Sequence, residues 1–311
     1  MGGLEMDGLE FTPKCVLPYS EGYIVVGVDG ELQKLDKNYT PLLKHVKPFP
    51  TPIRDATISQ NILIATWLDP ELLLARIAAI DLTNDLQQGV NRGDLRIKRT
   101  IGNAIHPHGN LWSHVLDAEP LALSSNEQSF TFILWKKGIY NLSVDEIENW
   151  RAPPAKWEQL EKLPRANEPV ALIDCEDGFV EVWSKGGGVK KLDVSNGKII
   201  NQTIIDLDGF VEKVFKHEDE YLIMLNDSRL VMMRKGNILV SAKISGPIND
   251  AKFYSKNKKW YIAGWRELII IGEASHVRIG IDEIAVYIDP KGSLYLCNDS
   301  KWNTFQNDEE E

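Results

Sequence analysis

The 311-residue sequence lacks any apolar run long enough to cross a bilayer as a helix, which takes about 18 to 20 residues in succession. Its longest apolar stretches, around Ala75–Ile80 and Leu268–Ile271, are strand-sized. Cysteine is scarce. Cys15, Cys175 and Cys297 are odd in number and widely spaced, which excludes a disulfide framework and a Cys-x-x-Cys metal site and points to a reducing, cytoplasmic compartment. Positive charge is also short: 35 Lys and Arg face 45 Asp and Glu, for a net charge of −10. That deficit argues against a whole-surface grip on nucleic acid. The opening residues Met1–Asp7 carry acids where a secretory leader needs basic residues, and Met6 stands where a myristoylation signal needs Ser or Thr. The triplet Gly186-Gly187-Gly188 lacks the strand–helix setting and the Lys-Ser/Thr of a phosphate loop, so it reads as a hairpin turn. No nucleophile elbow, Ser/His/Asp order or paired-carboxylate motif is present.

Against these absences, 43% apolar and 26% charged residues make an ordinary globular chain rather than a disordered one. Long amphipathic helices are scarce. A unit of apolar run, turn signal and second apolar run recurs instead. The first runs are Tyr23–Val28, Ile62–Trp67, Phe130–Trp135, Phe179–Trp183, Tyr221–Leu225, Trp260–Trp265 and Leu294–Cys297. Each is rich in β-branched or aromatic residues, as strands are. Turns such as Asp29-Gly30, Lys137-Gly138 and Asp227-Ser228 follow them and supply hairpin chemistry. The second runs are Glu31–Leu35, Leu72–Ile80, Ile139–Leu142, Val189–Val194, Arg229–Met233, Leu268–Ile271 and Lys301–Phe305. Further strands flank these hairpins, as at Pro169–Asp174 and Lys198–Asp206.

The units start about 45 residues apart, the repeat length of four-stranded propeller blades. The expectation is an all-β chain folded over residues 1–311 as a single β-propeller. Seven four-stranded blades fit best, and an N-terminal strand, Leu4–Phe11, would complete the last one. A closed ring of this kind removes open sheet edges.

With Gly27–Asp36 and Lys191–Lys198 as the stretches that carry the likeness, the chain resembles the broad propeller class of WD-repeat and quinoprotein-like proteins. The Gly-His and Trp-Asp dipeptides of WD repeats are absent, and so is a repeated docking-tryptophan motif. The resemblance therefore implies an architecture and carries over no functional residue.

Two insertions interrupt the period, at about 83–119 and 144–168. The first holds a basic, strand-like Leu95–Arg99 and a His-rich piece. On an extended strand His106 and His108 would point the same way, and with His114 or Asp117 they would suit a divalent metal ion. In the second, Ser143 and Glu146 form a candidate capping box for a short helix carrying Ile147 and Trp150 on one side. Beyond Pro153-Pro154, a helical turn or two would present Trp157, Leu160 and Leu163. Trp150, Trp157, Leu160 and Leu163 are the candidate partner-binding residues, because Trp is a frequent interface anchor. Trp67, Trp135, Trp183 and Trp265 end four first strands at one register. They read as packing between blades or, alternatively, as an aromatic rim. The basic clusters Arg92–Arg99 and Lys252–Lys259 and the acidic tail Asn307–Glu311 read as solvated surface.

Three functional classes follow. The leading one is a non-enzymatic module or scaffold that binds one or more proteins, without a bound cofactor. The second is a metal-dependent hydrolase or lyase using His106, His108 and His114. The third is a carbohydrate- or peptide-binding propeller using the Trp rim.

Overall fold

A computed structural model describes residues 8–97, 105–175 and 177–305. Seven antiparallel sheets follow one another along the chain and form a seven-bladed propeller. Blade one has strands β1 (Pro13–Tyr19), β2 (Gly22–Gly27) and β3 (Leu32–Leu35). Blade two has β4 (Ile53–Ser59), β5 (Ile62–Asp69), β6 (Leu74–Asp81) and β7 (Asn110–Leu116). Blade three has β8 (Pro120–Ser125), β9 (Ser129–Leu134), β10 (Gly138–Ser143) and β11 (Glu148–Ala152). Blade four has β12 (Pro169–Cys175), β13 (Phe179–Ser184), β14 (Gly188–Asp193) and β15 (Ile199–Ile204). Blade five has β16 (Val211–His217), β17 (Glu220–Leu225), β18 (Arg229–Arg234) and β19 (Asn237–Lys243). Blade six has β20 (Ile248–Tyr254), β21 (Lys259–Gly264), β22 (Glu267–Gly272) and β23 (Ser275–Gly280). Blade seven has β24 (Ala285–Ile288), β25 (Leu294–Cys297) and β26 (Trp302–Thr304). All fourteen strands expected from the paired apolar runs are present.

The middle strands are apolar at nearly every position because both of their faces are covered. Successive side chains point to opposite faces, so each strand feeds two interfaces. Ile24 and Val26 pack toward blade two, whereas Val25 packs toward blade seven. Among the described residues seven hydrophobic clusters result, one between each pair of neighbouring blades. The ring is held by these wedges rather than by a single central core.

The repeat hidden in the sequence is explicit in the pairing. Each innermost strand carries a bulge after its first residue, which leaves Lys14, Arg54, Leu121, Val170, Glu212, Asn249 and Val286 unpaired in the seven blades. A bulge adds local twist, which suits strands that converge on an axis. The outer strands of blades two to five carry a bulge as well, at Leu111, Asn149, Ile200 and Leu239.

Blade one has no regular outer strand. The chain from 41 to 46 takes that place through isolated bridges, Leu35 to Pro41 and Leu32 to Val46. Blade seven is completed by the N-terminal segment. The Leu9 amide donates to the Ser300 carbonyl at 3.0 Å, and the Ser300 hydroxyl donates to the Phe11 carbonyl at 2.6 Å. In blades four, five and six the residue just past the outer strand makes the same amide bond: Ile205 to Gly187, Ile244 to Ser228, Ile281 to Arg266. Leu9 thus stands where a fourth strand has just ended. Residues 4–7 of the expected Leu4–Phe11 strand lie outside the described residues, and Gly8–Phe11 are irregular rather than strand.

The insertions differ from expectation. Leu95–Ile97, read as strand, belong to a short helix, α1 (Arg92–Ile97), which Asp94 enters as the acid of its first turn. Lys98 and Arg99 lie outside the described residues, as does the tail Asn307–Glu311. The capping-box helix at Ser143 is absent: Glu146 adopts φ 62° and the Ser143 amide donates to the Ile147 carbonyl at 2.8 Å, closing a tight turn. Trp150 then lies on β11, the outer strand of blade three, so the true insertion there is about 153–168. It contains one 3-10 turn, Glu158–Leu160.

Candidate functional site

Antiparallel order fixes which loops share a face. The turns between second and third strands lie on one face with the blade-to-blade crossovers; the remaining turns lie on the other. The crossover face carries Val28, Leu73, Trp135, Leu163 and Trp265, all exposed. Among the described turn residues of the opposite face, Ile147 is the large apolar one left in solvent.

Register explains which tryptophans reach solvent. Trp67 pairs opposite Ile53, at the site that Leu134, Ser184 and Gly264 occupy in blades three, four and six. Trp183 stands one residue before that site, and Trp135 and Trp265 one residue after it. The expectation of one shared register is therefore corrected. Trp67 and Trp183 are 0% and 1% exposed and fill the wedges between blades one and two and between blades four and five. Trp135 and Trp265, past the strand ends, are 48% and 45% exposed. The Lys136 ammonium stands 4.3 Å from the Trp135 ring centroid. Trp265 rests on Gly246, where a Cβ would come within 2.8 Å of it.

The second insertion builds a groove with the segment that links blades four and five. Trp157 is fully buried beneath it, its amide held by the Asn167 side chain at 2.7 Å and its ring against Gly188, where a Cβ would sit 2.7 Å away. Trp150 is buried too, and its indole N–H reaches the Val194 carbonyl at 2.7 Å, tying blade three to blade four. Leu160 is buried. Trp150 and Trp157, two of the four residues expected to bind a partner, are thus internal props. The expectation failed there because a strand and a buried turn, rather than a solvent-facing helix, position them. Leu163 alone of the four is exposed, at 52%. Leu160 and Leu163 nevertheless line a groove of about 370 Å³ with Ile204, Ile205, Leu207 and Phe210, rimmed by Asp206 and Asp208.

The first insertion leaves blade two on the opposite face and climbs its side. The Gly89 amide meets the Lys47 carbonyl at 2.8 Å, and the Arg92 guanidinium reaches Asp69 and Glu71 at 2.8 Å on the crossover face. Its histidines diverge. Pro107–Asn110 form a turn, with Gly109 at φ 72°, so His106 and His108 do not alternate along a strand. His106 meets Arg76 at 3.3 Å, the His108 amide meets the Pro48 carbonyl at 2.9 Å, and His114 on β7 meets Glu146 at 3.1 Å. Asp117 pairs with Lys137 at 2.7 Å, which holds its carboxyl below the usual range. Among the described residues no group of three or more His, Cys, Asp or Glu is placed to hold a metal ion.

A polar ring around the central channel escaped the sequence reading. Lys14 Nζ donates to the Ile53 and Arg54 carbonyls of the next blade at 2.7 and 2.8 Å, and Lys213 Nζ to that of Ile248 at 2.8 Å. Asp55 and Asp250 accept the amides of Leu123 and Ile288, each from the following blade, at 3.0 and 3.2 Å. Burial lowers both lysine pKa values and pushes the Asp55 carboxyl up to about 6. These side chains occur at and just after the bulges, and the signal was a polar pair near the start of several innermost strands. Burial also pushes the Cys15, Cys175 and Cys297 thiols up to about 12, 11 and 12, so none is poised as a thiolate nucleophile.

A second polar cluster lies between blades four and five. Buried Glu181 accepts from Lys216 Nζ at 2.8 Å, from the Tyr221 hydroxyl at 2.8 Å and from the Trp183 indole at 3.2 Å. Burial alone would lower the Lys216 pKa, but its contacts with Cys175 and Glu181 raise it, so the ammonium stays charged.

No protein-family model and no curated protein matches the sequence. Solved structures do match in fold. The β-propeller domain of Myceliophteria thermophila Cps50 (Swd1) superposes with a TM-score of 0.67 at 13% identity, covering 95% of this chain and 97% of that one. The WD40 propeller domain of Doa1 gives 0.63 at 14% identity, covering 98% and 95%. The C-terminal WD40 domain of Sif2 gives 0.59 at 10% identity, covering 94% and 80%. The fold is therefore that of a seven-bladed β-propeller, similar to these WD40 domains, in a sequence without the WD40 dipeptides. Among the described residues no helix is long and apolar enough to cross a membrane.

Proposed function

We propose that the chain is a non-enzymatic interaction module that engages a partner protein with its crossover face. The observation that carries this reading is the segregation of exposed rings and leucines. Trp135, Trp265, Leu73 and Leu163 share one face of a rigid ring, while among the described turn residues of the other face Ile147 is the one exposed large apolar side chain. Exposed apolar residues gathered on one face of a rigid scaffold suit an interaction surface better than the same residues spread over both faces. The WD40-type fold supports the scaffold role by analogy only. The chain works as a single unit in the cytoplasm on this reading. The three histidines meet three different neighbours, so no observation favours the metal-dependent alternative.

The test is comparative capture from cell extract with three forms of the chain: unaltered, Trp135→Ser/Trp265→Ser, and Ile147→Ser on the opposite face. Proteins held by the unaltered chain and the Ile147→Ser variant but lost with the double variant support the proposal. An identical captured set for all three forms overturns it.

A further inference from the structure

Outer strands of propeller blades are open edges, and proteins usually blunt such edges with charge, proline or bulges. Strand β15 is the exception here. Among the described outer strands it alone has all six residues exposed, and its sequence Ile199-Ile-Asn-Gln-Thr-Ile204 holds no titratable side chain. By contrast β11 carries Glu148 and Arg151, β19 ends in Lys243, β23 carries His276 and Arg278, and on β7 His114 is tied to Glu146. Its bulge at Ile200 lies toward the inward neighbour β14 and leaves Asn201–Ile204 in regular pairing with Gly188–Lys191. The free edge over those four residues is straight and unguarded.

The edge runs into the apolar groove. Ile204 ends β15 and, with Ile205, lines the pocket that Leu163, Leu207 and Phe210 share. Beside that pocket stand the exposed carboxylates of Asp206 and Asp208. Three basic side chains nearby are paired with other acids, Arg165 and Lys185 with Glu168 and Arg229 with Asp227, while Lys162 points its charge into solvent. An unpaired strand edge, an apolar pocket at its end and two exposed acids form one continuous surface. Main-chain bonds would supply affinity, and the pocket and acids would supply selectivity.

We infer that β15 is a docking edge for an extended segment of a partner protein. That segment adds antiparallel to β15 as a fifth strand of blade four. Because β15 runs toward the crossover face, the N-terminal end of an antiparallel segment lies at the groove. The segment therefore carries a basic residue at that end, facing Asp206 and Asp208, then an apolar side chain for the groove and an uncharged β-forming run. This deepens the partner-binding reading by naming the chemistry of one partner segment.

The probe is a fluorescein-labelled decapeptide with an Arg-Lys pair ahead of alternating Ile and Thr, followed by fluorescence anisotropy against the full chain. Two control peptides replace Arg-Lys by Glu-Glu or carry N-methyl groups on alternate amides. Both controls are expected to bind at least tenfold more weakly, and so is the parent peptide to an Ile204→Lys variant, which alters an exposed position. N-methylated and parent peptides binding alike would overturn strand addition, whatever the folding of any variant. Sedimentation that finds a dimer abolished by Ile204→Lys would overturn it in favour of a second copy on this edge. The Trp135→Ser/Trp265→Ser chain should bind the probe normally, so failure here with capture still Trp-dependent would leave the crossover-face reading standing.

Discussion

The Asp55 carboxylate on the innermost strand of blade two accepts the backbone N–H of Leu123, on the innermost strand of blade three, at 3.0 Å. The Ala56 amide is a second donor at 3.0 Å, and Lys14 lies near enough to stabilise the charge. Burial outweighs all three and raises the pKa to about 6. Relative to the unfolded chain, the folded state therefore favours the neutral acid, which it holds up to about pH 6.

Stability should follow that preference. A carboxyl whose pKa is raised on folding contributes stability below its unfolded pKa, near 4, and loses it as pH rises through the folded value. The unaltered chain is expected to lose melting temperature between about pH 4 and pH 6 more steeply than Asp55→Asn, whose side chain does not ionise. Thermal melts of both forms at half-unit pH steps would show it. Parallel profiles would refute the assignment.

The two classes of tryptophan should separate in a stability measurement. Trp157→Ala removes a fully buried indole and should cost about 3–5 kcal/mol. Trp265→Ala removes a half-exposed ring and should cost less than about 1 kcal/mol. Denaturant unfolding midpoints at constant slope would give both values.

Glu181 gathers three donors at the interface of blades four and five, Lys216 and Tyr221 from across it and Trp183 from its own strand. Replacing it by Leu leaves the Lys216 ammonium without its carboxylate, and losses of about 3–5 kcal/mol are typical when one partner of a buried pair is removed. Combining Glu181→Leu with Lys216→Met should recover part of the loss. A double-mutant cycle in chemical denaturation measures the coupling.

Ring closure can be tested at the chain start. Removing residues 1–11 deletes Leu9 and Phe11, both buried in the cluster between blades seven and one, along with two hydrogen bonds to Ser300. A loss of about 3–6 kcal/mol is expected from burying two fewer large side chains. Amide exchange should speed up first in β25 and β26, and uniform exchange across all blades would contradict a local closing role.

Much of the ring was legible in the sequence because its strands are covered on both sides. Tyr221–Leu225 or Leu268–Ile271 cannot be mistaken for half-exposed strands, and Asp227-Ser228 or Asp299-Ser300 mark the turns between them. What misled the reading was context that only the third dimension supplies. Ser143-x-x-Glu146 has the spelling of a helix start, yet Ser143 ends a strand and the four residues close a hairpin. Leu95–Arg99 alternates like a strand, yet its described residues, Leu95–Ile97, follow Asp94 in a short helix. Trp67 and Trp135 look equivalent beside their turns, but a one-residue offset sends the first inward and leaves the second in water. The channel ring was harder still, because its members come from different blades and meet only when the circle is complete. The partner residues Trp150 and Trp157 were misjudged for the opposite reason: large rings are as useful for wedging blades apart as for gripping a partner.

The contact between Phe11 and Ser300 spans 289 positions of sequence. During synthesis at about 5–20 residues per second, roughly 15–60 seconds separate the emergence of these two residues. Through that interval blade one has a neighbour on one side only, and its Val16, Val25 and Leu35 face water or whatever shelters them. The last blade to be made is therefore the one that ends the exposure of the first. A ribosome stalled late in the message would leave an almost finished ring with an open, adhesive seam.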